Sequence, residues 1–303
     1  MSLAISLPAS LLLAGEYLIL REGGLGLAAA PDIRIQASSE PAPNGKLKVT
    51  GLFGRERLEW RERSGPAGLI PTVLATIREK YHLQHLPPIE ITLDSRPLYA
   101  ADGRKLGFGS SAAAGTALIA LLSAEISGSL PQEEELLQTS ITAHRKAQGG
   151  RGSGYDIACS IYGGVGLFRG GSIPDWRRLH LPWLRFLELR NFADPVSSAA
   201  AVRTFEEYYR LRPERIEALL KRNNELLLSF RSDLPKEAGI KLIEQCRDLG
   251  IELGREIGVN AALPVDEDQD WKASGAGDEL GFRLSSADNE QAIPITGEGI
   301  RRE

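Results

Sequence analysis

The chain has little cysteine, no long apolar run and no strong excess of either charge, and each shortage removes a class of function. Cys159 and Cys246 are the only two thiols among 303 residues. That is too few for a disulfide framework, and neither sits in the C-x-x-C spacing of a zinc site; a reducing, cytoplasmic setting is expected. A formal net charge of −4 offers no global basic field, so neither nucleic acid nor a membrane surface is expected as a partner. The longest clean apolar run of the central helix, residues 117–122, falls far short of the roughly 20 that cross a bilayer. Residues 3–20 are apolar but lack a basic leader and are interrupted by Pro8 and Glu16, which predicts two strands and no signal peptide. Two nucleotide signatures are missing as well: there is no G-x-x-x-x-G-K-[ST] and no G-x-G-x-x-G after a strand.

What remains is a globular composition, 42% hydrophobic and 25% charged, with enough chain for two lobes. Strand patterns fall at residues 11–20, 33–37, 46–50, 89–93 and 186–190, and helical spacing at 68–81, 112–122, 132–148 and 213–230. Residues 40–45, with Pro and Gly, predict a hairpin or loop and not a domain linker. No internal repeat is visible. The character changes after Gly170 and Gly171, which predicts an N-terminal lobe of residues 1–171 and a C-terminal, helix-rich lobe of residues 172–303.

Three segments carry chemistry. The run Lys105, Leu106, Gly107, Phe108, Gly109, Ser110, Ser111, Ala112 joins two glycines to a helix start, where unpaired N–H groups and the helix dipole attract phosphate. A plain N-cap would explain Gly-Ser-Ser, but needs neither Lys105 nor a second glycine. A second segment ends a helix on Arg145 and Lys146, passes through Gly149, Gly150, Arg151, Gly152, Ser153 and Gly154, and reaches Asp156 at the next helix start. Asp156 either favours that helix start or is aimed at an acceptor brought in by the cations. The third, residues 272–281, includes Lys272, Ser274, Gly275, Ala276 and Gly277 and by itself reads equally as a hairpin turn.

Together these segments resemble the GHMP kinases. Pro8 to Tyr17 is similar to their first motif, Gly107 to Ala113 to the second, and Lys272 to Gly277 to the third. Ala143 to Gly149, Gly152 to Ala158 and the segment Pro195, Val196, Ser197, Ser198 look most like the phosphomevalonate-phosphorylating branch. The resemblance implies a mixed α/β (α+β) fold of two lobes with the active site in the cleft between them, ATP and Mg²⁺, a small-molecule phosphorylated acceptor, and room for a homodimer. It implies catalytic roles for Lys105 and Asp156, ATP held by Leu106, Gly107, Phe108, Gly109, Ser110, Ser111 and Ala112, and Mg²⁺ reached by Ser110 or Ser111. On the acceptor side it implies Ser10, Glu16, Tyr17, Arg145, Arg151, Ser153, Ser197, Ser198, Ser274, Gly275, Ala276 and Gly277. Two departures stand out: Ser10 replaces a lysine usual in the first motif, and Asp278 and Glu279 interrupt the third.

Overall fold

The computed structural model describes residues 2–192, 198–263, 271–275, 280–285 and 289–303. The chain begins with β1 (Leu3–Pro8), β2 (Leu11–Ala14), β3 (Leu25–Ala29), β4 (Arg34–Pro41), β5 (Lys48–Phe53) and β6 (Glu56–Arg61). Helix α1 (Leu69–Lys80) and β7 (Ile89–Asp94) lead to α2 (Ser110–Ser127), α3 (Glu133–Ala147) and α4 (Tyr155–Tyr162). Then come β8 (Val165–Arg169), β9 (Asp175–Leu179), β10 (Phe186–Asn191), α5 (Ser198–Leu211), α6 (Pro213–Leu228) and α7 (Lys236–Ile257). The chain closes with β11 (Lys272–Ser274), β12 (Leu280–Leu284), β13 (Ile293–Pro294) and β14 (Arg301–Arg302).

Most predicted elements are present within a few residues of their expected ends. The strand expected over 11–20 is the exception, because it stops at Ala14 and a 3-10 turn occupies Leu18–Leu20. Gly15 turns the chain at φ 96°, where a Cβ would lie 2.4 Å from the Leu25 carbonyl oxygen. The backbone of β3 comes too close there for a side chain, so the strand cannot run on.

The chain forms two compact units, each interleaved along the sequence. One comprises residues up to Ala9, Ile33–Gly163 and Glu298–Glu303; the other comprises Ser10–Asp32 and Gly164–Gly297. The expected single boundary at 171/172 is therefore replaced by several crossings. Strand pairing is the reason: β3 pairs antiparallel with β8, which draws the N-terminal hairpin into the second unit, and β14 pairs with β1, which returns the C-terminus to the first.

The first unit carries a sheet of order β14-β1-β4-β7-β5-β6, with β5 and β7 parallel and the other pairs antiparallel. Strand alternation explains its one-sided core: Ile35 and Ala37 in β4, and Ile89, Ile91 and Leu93 in β7, are buried. Helix α2 packs on β1, β4 and β7 and against α1, α3 and α4. Being enclosed, it is built from small and aliphatic residues, and a Cβ on Gly115 would already press on Leu69 at 2.9 Å. By length and composition α2 would also suit a bilayer, contrary to the expectation drawn from residues 117–122, but 72% of it is buried inside the protein.

The second unit holds two antiparallel sheets, β2-β3-β8-β9 and β11-β12-β10-β13. Its helices α5 to α7 meet in a core of Phe205, Ile216, Leu219, Leu249, Leu253 and Ile257, joined by Tyr17 and Leu18. The apolar face read for residues 213–230 is the buried face of α6, although that helix ends at Leu228 and Phe230 is buried just beyond it.

Gly163 closes α4 in the first unit at φ 65°, with the Glu298 carbonyl carbon 2.4 Å from where a Cβ would stand. Left-handed strain of about 1–2 kcal/mol and a packing clash of about 1–3 kcal/mol add there. Gly163→Ala is thus expected to lower the unfolding free energy by about 2–5 kcal/mol, read as a fall in Tm by calorimetry. An unchanged Tm would contradict the packing of the C-terminal residues on this turn.

Candidate active site

Gly107 and Gly109 adopt φ 80° and 70°, which swings successive amides to the same side of the loop ahead of α2. Leu106 N–H donates to the Leu98 carbonyl and Ala113 N–H to that of Gly109. Between them, the six backbone N–H groups of residues 107–112 have no acceptor among the described residues. Phe108 is buried and anchors the loop, while Lys105 is exposed beside it. The result is an anion cradle with a mobile-stemmed cation at its edge.

The two serines separate. Ser110 is buried at 8% exposure and its hydroxyl shares a hydrogen bond with the Tyr99 phenol, which burial holds above its ordinary pKa. Ser111 is exposed. Of the pair expected to reach Mg²⁺, Ser111 is the one whose hydroxyl faces solvent; Ser110 is turned inward because it starts the buried side of α2. Nothing in the sequence singled out Tyr99.

The glycine loop between α3 and α4 is pinned from within. Gly150 N–H closes α3 on the Arg145 carbonyl at 2.7 Å, and the Arg145 guanidinium donates to the Gly152 and Ser153 carbonyls at 2.9 and 3.2 Å. Lys146 pairs with Glu79 at 2.7 Å. Arg145, expected on the acceptor side, clamps the loop in this structure, because two loop peptides turn their carbonyls toward its guanidinium. Arg151 is exposed with no carboxylate partner among the described residues. Ser153 is buried. Asp156, half-buried in the first turn of α4, accepts the Ile157 N–H at 3.0 Å on one oxygen; its other oxygen has no donor among the described residues.

The first and third motifs lie in the second unit. Ser10 is buried at 1% exposure and its hydroxyl has no partner among the described residues, so it is walled in at the start of the fully buried β2. Tyr17 stands at φ 61°, costly for a residue with a side chain, and its ring packs on Phe205 at 5.6 Å; it is a core residue. Glu16 forms an ion pair with Lys272, whose ammonium also donates to the Ala273 carbonyl at 2.9 Å. Sequence reading missed this pair, though a lysine opening a strand of small residues was its signal. Ser274 donates to the Leu12 carbonyl at 2.8 Å and ties β11 to β2, and Gly275 turns at φ 83°. Ser197, Ala276 and Gly277 lie outside the described residues, as does the side chain of Ser198, which begins α5.

Cys246, on α7, lies within reach of the charges of that pair. Burial pushes its thiol up to about 12, with Lys272 opposing and Glu16 reinforcing the rise. Since the folded value exceeds the ordinary one, the neutral thiol stabilises the fold below about pH 9, and that contribution falls away as pH climbs toward 12. Iodoacetamide at pH 8 is therefore expected to leave Cys246 unmodified until the protein is unfolded; peptide mapping that finds it alkylated in the folded protein would contradict its burial.

A glycine loop with acceptor-free amides at the start of an enclosed helix, outside both the P-loop and the dinucleotide folds, marks an α/β protein of two units with a loop suited to an anion. Residues 69–164, which span that loop and Asp156, match the family model described as GHMP kinases N terminal domain. That stretch is similar to the N-terminal domain of the GHMP kinases. The chain is 33% identical over 163 residues to a phosphomevalonate kinase of Saccharolobus solfataricus, covering 53% of this chain and 47% of that one. To a mevalonate kinase of Archaeoglobus fulgidus it is 26% identical over 201 residues, covering 65% and 63%. The matched stretches thus span between about half and just under two thirds of these two curated relatives. The fold is that of the Streptococcus pneumoniae phosphomevalonate kinase solved with phosphomevalonate and AMPPNP: TM-score 0.78, 16% identity, 99% of each chain covered.

Proposed function

We propose that the protein is an ATP-dependent kinase of 5-phosphomevalonate, yielding 5-diphosphomevalonate and ADP in the cytoplasm. The observation that carries this reading is the row of six amides at residues 107–112 that have no acceptor among the described residues, which suits the β- and γ-phosphates of ATP and would supply preorganised positive charge for phosphoryl transfer. Lys105 would offset charge on the transferring group. Mg²⁺ fits beside Ser111, with phosphate oxygens and water making up its shell; no group of three or more His, Cys, Asp or Glu that could hold a metal occurs among the described residues, and Mg²⁺ on a nucleotide needs none.

In the transfer, an oxygen of the acceptor's phosphate bonds to the γ-phosphorus, the bond from that phosphorus to the β–γ bridging oxygen breaks, and ADP leaves. An acceptor phosphate has a second pKa of about 6, so near neutrality it is largely ionised; what it needs is relief from repulsion. Arg151 is the unpaired cation of the loop that presents Asp156, and the phosphomevalonate kinase relative supports a phosphorylated acceptor. The mevalonate kinase relative supports an alcohol acceptor as the second reading.

Arg151 separates them. A charge-assisted contact is worth about 1.5–3 kcal/mol, so Arg151→Ala is expected to raise KM for phosphomevalonate about ten- to a hundredfold and to leave KM for ATP close to unchanged. Steady-state assays of ADP release with phosphomevalonate, mevalonate and galactose read the outcome. Mevalonate as the better substrate of the unmodified protein, or equal impairment of the variant with charged and uncharged acceptors, would replace the first reading by the second.

A further inference from the structure

The loop before α4 holds a pair of donors that the reading above does not use, and one side chain builds it. Arg145, in the last turn of α3, donates from Nε to the Gly152 carbonyl at 2.9 Å and from Nη2 to the Ser153 carbonyl at 3.2 Å. Those carbonyls belong to two successive peptides. In a trans peptide the N–H points opposite to the C=O, so the N–H groups of Ser153 and Gly154 are both turned away from the guanidinium. The backbone agrees: Gly152 and Gly154 stand at φ 109° and 96°, while Ser153 between them has no positive φ. That alternation makes successive amides converge on one point, as in the backbone nests that take anions.

Both residues are buried, and neither N–H has an acceptor among the described residues. The Ser153 hydroxyl has no hydrogen-bond partner among them either, although the residue is only 8% exposed. Buried donors left unanswered are costly. Two adjacent N–H groups and a hydroxyl together ask for an acceptor with several lone pairs, which a single phosphate oxygen provides.

We propose that Arg145 is a positioning residue: by fixing two carbonyls it presents the Ser153 and Gly154 N–H groups, with the Ser153 hydroxyl, to one oxygen of the acceptor's phosphate. Arg151 brings charge on an exposed side chain, whereas the two amides belong to a clamped backbone and set the orientation of the group they hold. The assignment to the acceptor rests on the reading that the acceptor is phosphorylated; the donor pair itself does not.

The test is a titration of the isotope-labelled full chain with phosphomevalonate, followed by nuclear magnetic resonance. The Ser153 and Gly154 amide resonances are expected to move downfield, while the Arg145 Nε–H resonance, still donating to Gly152, stays in place. Arg145→Met should abolish both shifts and raise KM for phosphomevalonate at least about tenfold, with KM for ATP changed less than about twofold. Arg145→Lys, which can still donate to a carbonyl, should restore part of the shifts and of the affinity. Unchanged far-ultraviolet circular dichroism certifies each variant, and if the methionine variant does not fold, the unmodified protein and the lysine variant decide. Should phosphomevalonate fail to bind, the phosphorylated-acceptor reading falls, and the pair is read with inorganic phosphate: shifts at Ser153 and Gly154 uphold it, and their absence overturns it. Movement of the Arg145 Nε–H in place of the two amides would make Arg145 a ligand cation and overturn the positioning role. Equal rises in KM for ATP and phosphomevalonate in Arg145→Met would overturn it as well.

Discussion

Asp156→Asn is expected to lower kcat by about a hundredfold or more while calorimetry finds ATP affinity nearly unchanged. Asparagine keeps the oxygen that accepts the Ile157 N–H, so α4 should still start where it does. What is lost is the negative charge and the second oxygen, which has no donor among the described residues and is the group available to take a proton or orient an acceptor. The size of the defect should depend on pH in a way that reports the acceptor. Below about pH 6 an acceptor phosphate still carries a proton, and Asp156 has one to remove; at pH 8 it has none, so the defect with phosphomevalonate should shrink. An alcohol stays protonated across that range, and its defect should not shrink. Loss of ATP binding with acceptor binding intact would reverse the assignment of Asp156 and the residue 107–112 loop.

Lys272→Met is expected to cost about 3–5 kcal/mol of stability, the usual consequence of removing one partner from a buried ion pair. The two side chains are 4% and 12% exposed, so water cannot take the place of the lost ammonium beside Glu16. The double variant Glu16→Gln, Lys272→Met should recover most of that loss, since two neutral side chains have no stranded charge between them. Chemical denaturation of the single and double variants reads the difference. A single variant as stable as the unmodified protein would mean that the pair is open to solvent. Kinetics of the folded double variant add a separate result: unchanged KM values would make Glu16 a purely structural residue of the first motif, whereas a raised acceptor KM would restore it to the acceptor's side.

The parts of the site that sequence alone made legible are the local ones. Two glycines and two serines ahead of an Ala-rich helix imply free amides whatever lies around them, because left-handed glycines and a helix start are properties of a dozen consecutive residues. The same holds for the placement of Asp156 in a first turn after a glycine loop, and for the apolar faces of α1, α3 and α6, which a 3.6-residue period writes directly into the chain. These local patterns, in their order, were also enough to point to the GHMP kinases.

Tertiary structure decided what depends on residues far apart in the chain. Whether Ser110 or Ser111 faces solvent turns on how α2 packs and on Tyr99; whether Arg145 is a ligand cation or a clamp turns on where the loop carbonyls point; and Glu16 and Lys272 meet only because β2 and β11 are brought together. The division into units was hidden for the same reason: strand register between β3 and β8, and between β1 and β14, is set by which apolar faces can be buried together. Short-range propensity specifies the backbone of each segment, but partners of a charge or a hydroxyl are chosen by the free energy of burying whole surfaces, which no window of sequence contains.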